Sequence, residues 1–100
     1  MTTLALEQDP VAMKMVLTAY HLIVELADGR SLTVPLDWYP RLRHGSESER
    51  QNWQLLGDGY AIEWPDLDEH IGVEGLLAGR RSGESEDSLG RWLASRGTRP

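Results

Sequence analysis

Residues 21–36, HLIVELADGRSLTVPL, decide the fold because they form two apolar strands around a turn. Asp28-Gly29 suits a two-residue hairpin loop, but that register would place the apolar side chains of the two strands on opposite faces. A three-residue loop, residues 27–29, pairs residue 24 with 32 and residue 22 with 34, and every leucine and valine then shares one face. We therefore predict the three-residue loop, with Gly29 at positive φ, where glycine is least strained.

Further strands are expected on both sides of this hairpin. One precedes it at residues 13–18, and a second hairpin surrounds residues 57–59, GDG, with strands at 53–56 and 60–64. Residues 66–70 are expected to form a polar loop. The predicted fold class is α+β, with a small antiparallel sheet built from two hairpins, short helices, and a short C-terminal amphipathic helix.

Capping residues predict where the short helices begin. Asp37 is expected to cap a helical turn, and Ser46 with Glu49 forms a capping box for a helix of about two turns. A third helix is expected at residues 71–78.

The last part of the chain contains the signals of one more helix. Ser85 can cap it, Gly97 can end it, and Leu89, Trp92 and Leu93 lie on one face. A helix of about eleven residues is unstable alone in water, so it is expected to dock or to fray. The predicted organisation is a loose N-terminal arm (residues 1–11), a single α+β core domain (12–79), and a linker with the C-terminal amphipathic helix (80–100).

Composition excludes several functional classes. The chain has 100 residues, no cysteine and a net charge of −6, which excludes disulfides, thiolate zinc sites and a cysteine nucleophile. No apolar run is long enough to span a membrane, and the first ten residues lack the pattern of a signal peptide. We therefore expect no membrane association and a cytoplasmic location. The negative charge argues against nucleic-acid binding by this chain alone, because such binding depends on lysine and arginine side chains that contact phosphates.

The charge is unevenly distributed along the sequence. Residues 51–79 contain six acidic residues and no basic one, whereas residues 80–100 contain five arginines and three acidic residues. The tail can fold back onto its own acidic neighbour, or one of the two surfaces can meet a partner.

Several stretches between residue 16 and about residue 96 have a distinctive order and spacing: LIVELADGR (22–30), VPLDWYPRL (34–42), ER-x-x-W (49–53), GDGYAIEWPDLDE (57–69), VEGLL-x-G (73–79) and SGES…SLGRWLASR (82–96). Together they resemble the bacterial domain-of-unknown-function 2442 family. The resemblance implies a small α+β domain of antiparallel hairpins with no established activity. It also implies that some members belong to two-gene pairs similar to toxin–antitoxin modules, and that others carry an added helix-turn-helix domain. The chain departs from the family pattern at Glu63, where histidine is usual, and at His70, where an acid is frequent.

The segment Asp66–His70 is the main candidate for chemistry. Its carboxylates and histidine could bind a metal or act in acid–base catalysis, but the spacing does not fit an EF-hand loop. The alternative is a solvated loop in which Asp68 or Glu69 caps the next helix. No nucleophile motif or phosphate-binding loop occurs. The chain is therefore expected not to be an enzyme, with no catalytic residues, no metal site and no cofactor.

Tryptophan and arginine are the side chains most enriched at binding hot spots, and the chain has four tryptophans. Trp53 and Trp64 are mainly expected in the core, whereas Trp38 lies near Arg41 and Trp92 beside Arg91. An arginine stacked on an indole is expected as an alternative. The candidate partner-binding residues are Trp38, Arg41, Trp64, Asp66, Asp68, Glu69, Arg91, Trp92 and Leu93.

These observations favour binding over catalysis. The predicted function is a protein-interaction module, an antitoxin-like or accessory member of a two-gene pair, that binds a protein partner or self-associates through the C-terminal helix. The alternatives are a nucleic-acid-associated transcriptional regulator and, less favoured, a small metal-dependent enzyme that uses residues 66–70.

Overall fold

Two three-stranded antiparallel sheets, with short helices between and after them, make up the computed structural model, which describes residues 10–97. The first sheet has the order β1-β2-β3 and the second β4-β5-β6. The strands are β1 (Ala12–Leu17), β2 (His21–Leu26), β3 (Ser31–Pro35), β4 (Gln54–Leu56), β5 (Ala61–Trp64) and β6 (Glu69–Gly72). The helices are α1 (Pro40–His44), α2 (Glu47–Gln51), α3 (Val73–Leu77) and α4 (Glu86–Ser95), with 3-10 turns at Leu36–Trp38 and Pro65–Leu67. The α+β class is confirmed, while most of the predicted arm, residues 1–9, lies outside the described residues.

The β2–β3 hairpin has the predicted register. Leu22 pairs with Val34 and Val24 with Leu32. The amide of Leu26 donates to the carbonyl of Arg30 at 2.8 Å, which closes the three-residue loop. Gly29 has φ 96°, the left-handed conformation that the turn requires.

The second sheet contains a strand where a polar loop was expected. The β4–β5 hairpin is confirmed, but residues 69–72 form β6 and pair with β5, with Trp64 opposite Glu69 and Ile62 opposite Ile71. A 3-10 turn and the left-handed Asp68, at φ 52°, reverse the chain between the two strands. The loop prediction was wrong because pairing with β5, rather than local sequence, stabilises this short strand.

Two capping predictions were also wrong. Asp37 lies inside the first 3-10 turn and pairs with Arg43, while α1 begins after Tyr39 with no side-chain cap. The third helix begins at Val73 after Gly72, so neither Asp68 nor Glu69 caps it.

The capping box of α2 is confirmed. The Oγ of Ser46 accepts from the amide of Glu49 at 3.1 Å, and the Glu49 carboxylate accepts from the amide of Ser46 at 2.8 Å. These two bonds satisfy amides that a helix N-terminus otherwise leaves without partners.

One apolar core joins both sheets and the helices between them. Its fully buried side chains are Leu22, Val24, Leu36, Leu42, Ile62, Trp64, Leu67, Val73 and Leu76. The indole N–H of Trp64 donates to the carbonyl of Arg50 at 3.0 Å, so this buried polar group has a hydrogen-bond partner. Tyr60 was predicted to begin the second strand of this hairpin, but it lies in the preceding turn and is exposed.

Candidate interaction site

The C-terminal helix α4 lies against the core of its own chain. Ser85 caps it by accepting from the amide of Ser88 at 3.1 Å, and Gly97 follows it at φ 70°. Leu89, Trp92 and Leu93 are half-buried, and Trp92 packs against the core cluster. No residue of α4 is fully buried, so the helix rests on the surface of the core rather than forming part of its interior.

Arg41 of α1 is the main polar contact between the core and the segment that leads into α4. Its Nε and Nη2 donate to the carboxylate of Glu84 at 2.9 and 2.6 Å, and its Nη1 donates to the carbonyl of Asp68 at 3.0 Å. The paired side chains of Arg41 and Glu84 are only 16% and 9% exposed. The Arg41 guanidinium lowers the pKa of Glu84, and Glu84 in turn raises the pKa of Arg41. This geometry is the bidentate arrangement that makes arginine–carboxylate pairs strong.

A second group of contacts fixes the far end of α4. The guanidinium carbons of Arg41 and Arg96 lie 4.9 and 4.5 Å from the centre of the Trp92 ring, within the range of cation–π attraction. The Nη2 of Arg96 also donates to Oε1 of Glu49 at 2.8 Å. Hydrogen bonds from Arg96 and from the Ser46 backbone lower the pKa of Glu49 to about 2. We call Arg41, Glu49, Glu84, Trp92 and Arg96 the clamp.

The linker before α4 is fastened to the core as well. The hydroxyl of Tyr39 donates to the carbonyl of Arg80 at 2.9 Å, and the amide of Ser82 donates to the carbonyl of Trp38 at 3.0 Å. The guanidinium of Arg81 lies 4.8 Å from the centre of the Trp38 ring. Residues 80–84 therefore form a strap across the segment between β3 and α1.

A half-buried carboxyl group, that of Glu69, lies next to this strap. It borders an open cavity of about 140 Å³, whose lining includes Tyr39, Arg80, Arg81 and Ser82. Burial raises the pKa of Glu69 to about 7. The positive charge of Arg41 opposes this rise, and the negative charges of Glu84 and Asp68 add to it. Burial and the charge of Glu69 together raise the pKa of Tyr39. Burial therefore favours the neutral form of Glu69 in the folded protein.

The structure brings some of the predicted residues together and separates others. Arg41 stacks on Trp92 rather than on Trp38, and Trp38 meets Arg81 instead. Arg91 is exposed, and Leu93 is half-buried beside Trp92.

The remaining candidates lie at the edge of the clamp or outside it. Asp68 contacts Arg41 through its backbone carbonyl and, at 3.4 Å, its carboxylate, while exposed Asp66 accepts from the amide nitrogen of Asn52 at 2.9 Å. Trp64 is a core residue without solvent exposure, so it cannot contact a partner and its place among the binding residues was wrong.

Sequence reasoning did not recognise three members of the clamp. Glu49 was interpreted only as part of a capping box, Glu84 was placed in the linker, and Arg96 was not singled out. The acidic segment 51–79 was one of two alternatives for what the tail meets, the other being a partner, but the tail cation Arg96 pairs with Glu49 of α2. The spacing of Trp92 and Arg96, four residues apart on one helix, was the one available signal.

Two further observations concern classes of function. Within residues 10–97, no group of three or more histidine, aspartate or glutamate side chains is arranged to bind a metal ion. The same residues contain no helix that is long and apolar enough to cross a bilayer.

A family model described as a protein of unknown function, DUF2442, matches residues 16–82. The chain belongs to this family. The matched residues end before α4 begins, so the clamp joins the family core to a segment that follows it. No curated protein matches the sequence.

Two solved structures share this architecture. A protein of unknown function from Rhodospirillum rubrum is 26% identical with a TM-score of 0.66, and the alignment covers 77% of this chain and 95% of that one. An uncharacterized protein of Chromobacterium violaceum is 18% identical with a TM-score of 0.62, and the alignment covers 90% of this chain and 79% of that one. The second likeness concerns the fold alone.

Proposed function

We propose that the chain is a protein-interaction module whose working parts are α4 and the face of the core on which α4 rests. The observation that carries this proposal is the way α4 is attached. It has no fully buried residue, and it is joined to the core through Trp92 and the paired side chains of the clamp. The Glu49–Arg96 pair contributes about 0.2–1 kcal/mol and the cation–π contacts about 0.5–1 kcal/mol each. The stronger bidentate pair, Arg41 with Glu84, fastens the linker before α4, so we expect α4 itself to be able to leave the core while the core stays folded.

Release would uncover chemistry suited to a protein partner. Trp92, Leu89 and Leu93 form the apolar face of α4, and Arg41 and Glu49 stay on the core without the side chains that α4 and its linker supply. Tryptophan and arginine in a half-buried setting are typical of interface hot spots. An antitoxin-like or accessory role in a two-gene pair is the specific form of this function that the family resemblance favours.

A capture experiment tests the proposal and identifies which side binds. The amount of partner protein captured by the tagged wild-type chain is compared with the amounts captured by two variants. Glu49→Gln loosens the clamp, and Trp92→Ala/Leu93→Ala removes most of the apolar face of α4. Glu47→Gln is the matched control, because Glu47 is exposed on the same helix and forms no ion pair with a described residue.

The double variant gives opposite results for the two halves of the site, whereas Glu49→Gln captures more partner in either case. If the partner binds α4, Glu49→Gln captures more of it than wild type and the double variant loses it. If the partner binds the core face, both variants capture more. Equal capture of every partner by all four proteins would contradict the proposal.

A further inference from the structure

We infer that the core face that holds α4 also accepts α4 of a second copy, so that two chains can exchange residues 80–97. This inference rests on the proposed function, because it uses the same helix and the same core face. In this structure the core face already binds the segment of its own chain from Arg80 to Gly97. The same segment of a second copy has the same sequence, so it can form the same contacts.

The long-range polar contacts that fasten the segment join it to one part of the core, residues 38–49, with Asp68 beside them. The pairs are Tyr39 with Arg80, Trp38 with Ser82, Arg41 with Glu84, and Glu49 with Arg96. A second copy presents the same groups in the same arrangement, so each pair that separates on release forms again on exchange.

The point at which the chain would open is Gly79. It follows α3 at φ 78°, and a Cβ built there would meet no atom within 4 Å. Its turn is closed by two backbone hydrogen bonds, from the amide of Gly79 to the carbonyl of Leu76 and from the amide of Arg80 to the carbonyl of Gly75. A helix of ten residues released at this point is too short to persist alone, so it stays helical only when it docks on its own core or on that of another copy.

Docking within the chain is favoured at ordinary concentrations. A short tether gives the helix an effective concentration on the order of millimolar at its own core, so a wild-type sample at micromolar concentration is mostly monomeric. Exchange becomes dominant when docking within the chain is made unfavourable and docking between chains is left intact.

A pair of charge reversals creates this situation. Glu49→Arg and Arg96→Glu each place like charges at the clamp of their own chain. In an exchanged dimer of one copy of each, both clamps are complementary. The arginine introduced at position 49 of one copy meets the glutamate introduced at position 96 of the other, and the native Glu49 meets the native Arg96.

Two controls accompany these variants. The doubly substituted chain E49R/R96E restores the opposite charges within one chain. Ser46→Ala is the control for the weakened cap of α2, because Glu49 also serves the capping box.

Size-exclusion chromatography with light scattering and native mass spectrometry provide the readout. At about 100 μM, each single variant and the doubly substituted chain should be monomeric, and the equimolar mixture should form a one-to-one heterodimer. A mixture that remains monomeric, while circular dichroism shows both variants folded, would overturn the inference.

If the single variants do not fold, exchange is tested with the wild-type protein instead. Unlabelled and ¹⁵N-labelled chains are mixed at millimolar concentration and examined by native mass spectrometry. Mixed dimers support exchange, and persistent monomers overturn it. Failure here leaves the proposed function standing if Glu49→Gln still captures more of another protein, so the two failures are distinguishable.

Discussion

Removing the ionisable group of Glu69 should change how stability depends on pH. The substitution Glu69→Gln keeps the shape of the side chain and removes its titration. In the folded protein, burial raises the pKa of Glu69 from its ordinary 4.5 to about 7. A carboxyl with a raised pKa binds its proton more tightly in the folded state, so its contribution is favourable at low pH and is lost as the pH rises from 4.5 through 7.

The size of the effect follows from the shift. A rise from 4.5 to about 7 corresponds to about 3 kcal/mol at full ionisation, of which about 2.5 kcal/mol falls between pH 5 and pH 8. The wild type should therefore lose about this much free energy of unfolding relative to Glu69→Gln over that range. The two proteins should be closest in stability at pH 5.

Urea unfolding followed by tryptophan fluorescence provides the assay. The free energy of unfolding is measured for both proteins at pH 5, 6, 7 and 8 at one ionic strength, and the difference between them is plotted. The difference is used because Glu49 and Glu84 have lowered pKa values, so their stabilising contributions are lost as the pH falls. This loss is the same in both proteins and cancels in the difference. Glu74→Gln controls for the loss of one charge from the acidic segment. A difference between wild type and Glu69→Gln that is constant across pH would refute the reasoning.

Three further substitutions test individual parts of the structure. Gly29→Ala should destabilise the protein by about 1–2 kcal/mol, measured by thermal unfolding, because φ is 96° there; an unchanged Tm would contradict the hairpin geometry. Ser46→Ala should cost about 1 kcal/mol through the lost cap, measured by urea unfolding, and a neutral result would mean that α2 does not depend on its capping box. Trp92→Ala should lower the helical signal in circular dichroism while the NMR shifts of β2 stay in place; unchanged helicity would show that α4 does not need its indole.

The first hairpin could be predicted from the sequence because two independent signals agree there. Alternating apolar residues fix the face of each strand, and the position of Gly29 fixes the loop, so only one register satisfies both. β6 has no such agreement. Ile71 is its one buried side chain, and Glu69 and His70 are polar, so only pairing with β5 makes residues 69–72 a strand.

The candidate site was predictable in its parts but not in its pairing. Trp92 and Arg41 were both identified as binding side chains, each beside the wrong neighbour. Their contact depends on how α4 lies across α1, and the partner of Arg96 depends on how α2 lies next to it. Charge totals by segment pointed to residues 51–79 as the acidic surface for the tail, with a partner as the alternative, but Arg96 pairs with Glu49 of α2. They could not select Glu49 over the acids of residues 51–79, because that choice is made by packing.

Hydrogen exchange of the α4 amides tests most directly whether the clamp holds α4 on the core in a way that lets the helix detach. We expect these amides to exchange through local opening, at a free energy well below that of the β2 amides. We also expect faster exchange in Glu49→Gln than in the control Glu47→Gln. Exchange of α4 only at the rate of global unfolding, with no response to Glu49→Gln, would show that α4 is not released from the core.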